Sequence, residues 1–254
     1  MIAPVFAYYL IFHYGPMYGA QIAFRNFNPF EGIWNSPWVG FKYFKQFFQS
    51  HYFGRLIRNT LLINIYDLAV GFPAPIILAL MINEVRNKYF RRTVQTIVYL
   101  PHFISTVVVV GMINSFLSPR NGIINIILGF FGIEPIHFLQ EPGWFRTIYV
   151  WSGVWQGAGW GAIVYLAALT SIDPQLYEAA IVDGASRWKR LIHITIPGIV
   201  PTIIIMLILR MGSMLSVGYE KIILMYNPMT YETADVISTY VYRRGIQGAE
   251  YSFS

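Results

Sequence analysis

An all-α, polytopic membrane helix bundle is the fold class this sequence predicts, and three observations predict it. Hydrophobic residues make up 56% of the 254 and charged residues only 12%, where a soluble domain carries about 25% charged residues. Mostly apolar windows of about 20 residues, the length that crosses a bilayer as a helix, recur along the chain. Bases gather in two short loops, the sorting that sets orientation in a membrane.

Five windows qualify as spans: residues 2–24, 56–82, 93–117, 147–170 and 197–217. The second is interrupted by Asn64, Asp67, Pro73 and Pro75 but stays strongly apolar between 60 and 82. Pro101, near the start of the third, is expected to kink it and free backbone groups that shape a cavity. "NEVRNKYFRR" (83–92) holds four bases in ten residues, and Arg187, Lys189 and Arg190 follow the fourth span. Alternating spans put both clusters on one side, the cytoplasm, and place loops 25–55, 118–146 and 218–254 outside, with Arg243 and Arg244 against the trend. A short interfacial helix between Pro119 and Gly132 would be either a contact for an outer partner or a plain connector. "GAEYSFS" ends the chain on the outer side, so a truncated sixth span is expected beyond it. The first span has no basic leader and no small-residue cleavage site, and Met1 falls within an apolar run, as in a trimmed N-terminus. The domain reading is one transmembrane domain over 1–254 with an inner polar segment at 172–196.

Several chemistries are excluded. Cysteine is absent, so there is no disulfide framework or thiolate metal site. The histidines, 13, 51, 102, 137 and 193, show no metal spacing. The net charge of +6 is spread over loops beside lipid headgroups and gives no nucleic-acid footprint.

The polar interruption "IDPQLYEAAIVDGASRWKRLIHITIPGIVPT" (172–202) reads as two helices joined by a turn. Asp173 is an N-cap and Pro174 takes the first helical position. Asp183–Gly184 closes the first helix, and Ser186 caps a second that runs to Pro197, where the fifth span begins. About nine residues make a helix too short to stand alone in water. Leu176, Ala179, Ala180 and Val182 beside Glu178 offer a surface for a groove on another protein; the alternative is an amphipathic loop on lipid headgroups.

"EAAIVDGASRWKRLIHITIP" resembles the EAA signature of permease subunits in binding-protein-dependent ABC importers: Glu-Ala-Ala, three residues, Gly, nine residues, Ile-x-Leu-Pro. The matching positions are Glu178, Ala179, Ala180, Gly184, Ile194, Ile196 and Pro197, with Ile196 in place of Leu. "YGPMYGAQIAFRNFNPFEGIWNSPWVGFKYF", "YLPHFIS" and "DVISTYVYRRGI" look like the carbohydrate branch that imports oligosaccharides, including alginate. The resemblance implies a MetI-like permease, not an enzyme, in the bacterial inner membrane. Tyr177, Glu178, Ala179, Ala180, Asp183, Gly184 and Ala185 would couple to an ATPase. The implied partners are a second, different permease, two copies of a cytoplasmic ATPase and an extracytoplasmic solute-binding protein. No G-x-x-x-x-G-K-[ST] occurs, so ATP and Mg²⁺ are expected on the ATPase and no cofactor on this chain.

Within the spans, Gly153, Gly157 and Gly161 share one helix face, which suits either close packing or a pathway wall. Trp155 and Gln156 beside them suit sugar rings. A charge at mid-bilayer costs about 2.5–3.5 kcal/mol, so Asp67 and Arg210, at similar depth, are expected to pair or to face the cavity. Arg210 there would favour an anionic sugar such as a uronate. Asn64 is a weaker pathway candidate, since amides in spans more often bond between helices. The alternatives are an ion-coupled secondary transporter, for which only Asp67 could serve as an ion site, and a membrane enzyme. The carboxylates Asp173, Glu178 and Asp183 that an enzyme could use are accounted for by caps and docking.

Overall fold

A computed structural model describes residues 2–214 and 218–254, and its regular structure is helical, with only one isolated antiparallel bridge, Arg25 to Trp38, outside helices. The chain divides into two compact units, one built from the segments up to Arg58 and from Asp235 onward, the other from residues 59–234. In the first unit, residues 2–24 are helical in pieces: α1 (Ile2–Tyr9), a π-helical turn Leu10–Tyr14, a short Gly15–Met17 segment and a 3-10 stretch Tyr18–Phe24. Pro16 cannot donate to the carbonyl one turn back, and the π turn beside it, closed by Gly15 N–H to Leu10 O, absorbs the misfit. Its C-terminal segment is held by Asp235. This fully buried carboxylate accepts from Arg243 at 2.7 Å, Arg55 at 3.4 Å and the Thr239 hydroxyl at 2.9 Å. Those donors are what make a buried charge tolerable.

Helix α2 (His51–Gly71) and α3 (Pro73–Glu84) run on as one apolar rod, His51–Glu84. Pro73 sits at the start of α3, where a missing N–H costs little. Asn87 then caps α4 (Lys88–Tyr99), its side chain accepting from Tyr89 N–H at 2.9 Å and Phe90 N–H at 3.2 Å.

The expected third span, 93–117, is not one straight helix. After α4 a 3-10 turn, Leu100–Phe103, leads to an extended break at Ile104–Ser105, and α5 (Thr106–Phe116) departs at 101°. Pro101 is buried inside the 3-10 turn, and the change of direction comes a turn later than Pro101 itself, at the residue pair that loses helical hydrogen bonds. Ser105 caps the new helix through Val108 N–H.

The long helix α6 (Pro142–Thr170) contains the fourth expected span. Its core partners are α3 and α9 (Ile196–Gly212, below): Ala79, Ala162, Tyr165, Leu169 and Ile199 form a buried cluster. Small side chains at Ala79 and Ala162 let these backbones approach closely, the main source of helix association in lipid. By length and composition His51–Glu84 and Arg187–Gly212 can each cross a membrane, and the bent pair Lys88–Phe103 with Thr106–Phe116 makes a third if counted as one span. The end of the fifth expected span, near Val217, lies outside the described residues.

Gly159, buried on α6, lies so close to the Val98 carbonyl that a Cβ there would overlap it, whereas a Cβ at Gly157 would meet nothing within 4 Å. Gly159→Ala is therefore expected to destabilise by about 1–3 kcal/mol through overpacking. Gly157→Ala is expected to stay within about 0.5 kcal/mol. Thermal melts of the purified protein compare the two.

Candidate functional site

At one end of the second unit the polar segment forms the helix–turn–helix that its residues encode. In α7 (Pro174–Val182), the Asp173 side chain accepts from Gln175 N–H at 2.9 Å. Gly184 takes φ +72°, and Ala185 N–H reaches back to Ala180 O at 2.8 Å, the six-residue loop of a Schellman end. Ser186 caps α8 (Arg187–Arg190) through Lys189 N–H.

From there the chain departs from expectation. The second helix does not stop at Pro197; it passes through a π turn, Leu191–Thr195, into α9 and makes one helix over Arg187–Gly212. Pro197 lacks the N–H for an ordinary helical bond, and the π turn, with Ile196 N–H on Leu191 O, shifts the ladder so that the helix continues.

No residue of α7 is buried. Leu176, Ile181 and Val182 are 53%, 56% and 87% exposed. Glu178, Ala179, Asp183 and Gly184 are also exposed, while Tyr177, Ala180 and Ala185 are half-buried. One side-chain bond anchors the helix, from the Tyr177 hydroxyl to the buried Thr195 hydroxyl at 3.0 Å. The other base-rich stretch lies at the same end, since Asn83, Glu84 and Arg86 line a cavity together with Tyr177, Arg187 and Arg190.

Deeper in the unit, Asp67 on α2 and Arg210 on α9 form an ion pair. Two cavities meet at it. One, of about 240 Å³, is walled mainly by apolar residues including Phe72, Pro75, Tyr165 and Met206. The other, of about 220 Å³, carries Asn64, Tyr149, Gln156 and Lys221. All three glycines of the α6 stripe line the first cavity, but they serve different ends. A Cβ on Gly161 would press on Pro75 at 3.1 Å, one on Gly153 would meet Lys221 Nζ at 3.6 Å, and Gly157 faces open space. The close backbone contact falls instead on Gly159, off the stripe. Asn64 donates to Thr60 O at 2.7 Å within its own helix, the bond an amide makes when no neighbouring helix offers one. Gln156 donates to Ile104 O at 2.8 Å, which satisfies the carbonyl freed at the 101° bend. Trp155 is 47% exposed and lines neither cavity.

Sequence reasoning missed Lys221. The stretch after residue 218 reads as an outer loop, but α10 (Tyr219–Met225) turns Lys221 inward, where its ammonium donates to Tyr149 O at 3.0 Å and lies 4.8 Å from the Tyr149 ring centre. A single Lys inside the apolar run "YEKIILM" was the available signal. The polar cavity thus holds two cations, Arg210 and Lys221, and one anion, Asp67.

Reversing either member of the Asp67–Arg210 pair leaves two like charges facing each other. Asp67→Arg and Arg210→Asp are each expected to lower the yield of folded protein, and the double swap to recover part of it. Size-exclusion profiles and melting curves of the three variants read the coupling.

Residues 71–245 match the family model described as "Binding-protein-dependent transport system inner membrane component". Protein LplB of Bacillus subtilis (strain 168) is 47% identical over all of this chain and 80% of its own length. The polygalacturonan/rhamnogalacturonan transport system permease protein YteP of the same organism is 45% identical over all of this chain and 79% of its own length. Among solved structures, a bacterial ABC transporter involved in the import of the acidic polysaccharide alginate superposes with a TM-score of 0.92 at 53% identity, over 98% of this chain and 84% of that one. A second, the alginate transporter in complex with an alginate pentasaccharide-bound periplasmic protein, gives 0.92 at 52% identity over 100% and 84%. With its exposed helix–turn–helix and paired intramembrane charges, this chain belongs to the family of binding-protein-dependent transport system inner membrane components, the permease subunits of ABC importers in the bacterial inner membrane.

Proposed function

We propose that this chain is the membrane subunit of an ATP-driven importer for an oligosaccharide, of the uronate type, delivered by an extracytoplasmic binding protein. The observation that carries the reading is α7: a nine-residue helix with no buried residue and three large apolar side chains open to solvent. In isolation such a helix frays, so it is built to be completed by a cleft on another protein. An ATPase subunit, in two copies that bind ATP and Mg²⁺, supplies that cleft. A second, different permease completes the membrane portion. Residues 1–254 act as one permease domain in this scheme, with 172–196 as the coupling segment and 25–55, 118–146 and 218–254 as its outer loops. ATP binding draws the coupling segments together and shifts the membrane portion between outward- and inward-open populations; the sugar is released unchanged.

The uronate assignment is supported by the names of the relatives, which include permeases for polygalacturonan/rhamnogalacturonan and alginate, and by the charge in the polar cavity. Arg210, Lys221 and Asp67 leave one net positive charge there, suited to a passing carboxylate. Asn64 and Gln156 line the same cavity, while Trp155 would belong to an exposed face that meets the second permease. An ion-coupled carrier finds less support, because Asp67, the acid that lines both cavities, already pairs with Arg210.

Two measurements test the reading. An affinity-tagged chain should retain the ATPase on purification. Glu178→Lys, Val182→Asp and Gly184→Pro, the last incompatible with φ +72°, should each lose it while the chain stays in the membrane. An importer that keeps its ATPase through all three would refute docking at α7. Lys221→Gln should raise KM for a uronate oligosaccharide about tenfold, the loss of one charge-assisted hydrogen bond, and leave a neutral oligosaccharide unaffected.

A further inference from the structure

A second set of side chains at the inner end, drawn from α3 and from the part of the coupling segment that follows α7, is not used for docking at α7. Ile77, Leu80, Met81 and Glu84 follow the i, i+3, i+4, i+7 pattern along the last two turns of α3, and so share one face. With Arg187, Trp188 and Leu191 they border a groove of about 650 Å³. The face is open: Ile77, Met81 and Trp188 are 55%, 65% and 72% exposed. The groove shares Glu84 and Arg187 with the polar cavity of about 230 Å³ that also holds Asn83, Arg86, Tyr177, Arg190 and Thr195. Among the described residues the guanidinium groups of Arg86, Arg187 and Arg190 make no ion pair, so three fixed cations face one carboxylate, Glu84.

We infer that these adjoining cavities form a binding site for one anionic phospholipid, its phosphate held by Arg86, Arg187 and Arg190 and its acyl chain laid along Ile77, Leu80, Met81 and Leu191. The chemistry of the two halves selects that occupant. Guanidinium groups bind phosphate in a two-pronged geometry, and basic pockets between membrane helices suit anionic headgroups. A free anion would leave the apolar groove empty, and a purely apolar occupant would leave the arginines unanswered. Trp188 follows the shared Arg187 and borders the groove, and an indole favours the boundary between headgroup and hydrocarbon. Tyr177, which bonds Thr195, borders the headgroup cavity, whereas Leu176, Ile181 and Val182 line neither cavity and stay available to a docking partner when lipid is bound.

Native mass spectrometry of the whole complex, extracted in mild detergent, tests this directly, because its readout is bound lipid and not transport. Wild type should carry a phospholipid of anionic mass. The triple variant Arg86→Gln/Arg187→Gln/Arg190→Gln should reduce the bound fraction at least fivefold. Met81→Trp, an exposed position where a larger ring fills the groove without entering the core, should do the same and carries the test if the triple variant does not fold. In melting assays, phosphatidylglycerol added to delipidated wild-type complex should raise the midpoint, and phosphatidylcholine or inorganic phosphate should not. The site is overturned by a wild-type complex without such a lipid, as when a second permease subunit covers the groove. Retention unchanged in Met81→Trp, or an equal melting shift from phosphate alone, overturns it as well.

Discussion

A carbonyl or a charge inside hydrocarbon has no water to turn to, and each one left unpaired costs several kcal/mol. The details of the second unit follow from that constraint. When the chain breaks between Phe103 and Thr106, the carbonyl of Ile104 loses its helical donor, and Gln156 from another helix supplies one. Asp67 and Arg210 answer each other. Lys221 finds the Tyr149 carbonyl and ring. Pro73 falls where a helix begins and needs no donor, and Pro197 is absorbed by a π turn. These polar groups are solvents for one another, which is why a chain so poor in charge keeps the charges it has.

The inner end obeys the opposite logic. There the caps are complete, with Asp173, Gly184 and Ser186 all in position, each contributing about 1 kcal/mol. Yet α7 has almost nothing to lie on. Its shape is fixed by local hydrogen bonds and one bond from Tyr177, while its apolar residues stay in solvent. Burial of Leu176, Ile181 and Val182 at about 1.5–3 kcal/mol each is held in reserve for whatever binds. A helix preformed by its caps loses little further entropy on docking, so more of that burial becomes affinity.

Much of this was legible in the sequence, and the parts that were not share a cause. The caps of α7, the turn at Gly184 and the meeting of Asp67 with Arg210 depend on residues close in sequence or on a simple count of rise along two helices, which the chain displays openly. The bend at Ile104 was misplaced because proline marks where a helix is weakened, while the direction changes where a distant partner can satisfy the freed carbonyl. The bond from Gln156, which also lines the polar cavity, was hidden for the same reason, since nothing in its neighbours reveals that Ile104 needs it. The glycine stripe left close packing and a pathway wall both open, and the closest backbone approach falls off it at Gly159, because which face of α6 meets α4 is decided by tertiary packing and not by spacing. Lys221 was hidden by its address in a segment that reads as a loop.

The continuity of Arg187–Gly212 connects the two ends of the unit. Ile199 is the buried residue of α9, seated with Ala79 and Ala162, while Ile205, Ile208 and Leu209 beyond it are mostly exposed. The helix is therefore held most firmly about one turn past Thr195, the residue that Tyr177 grips. At 1.5 Å per residue, Thr195 lies about 6 Å on one side of that hold and Arg210 about 16 Å on the other. Pro201 lies inside α9 between Ile199 and Arg210, and Ile203 and Met206 pack on the same cluster, so a displacement of α7 reaches Arg210 through packed contacts along a helix that can bend, and there it meets the ion pair with Asp67. Both charges line cavities, so the pair opens only as other polar groups there take over each charge, a cost that falls on the cavity and leaves the core cluster in place. The polar cavity whose wall it forms is then free to change shape when the inner end is moved, which gives a push on a short surface helix a route to the middle of the membrane.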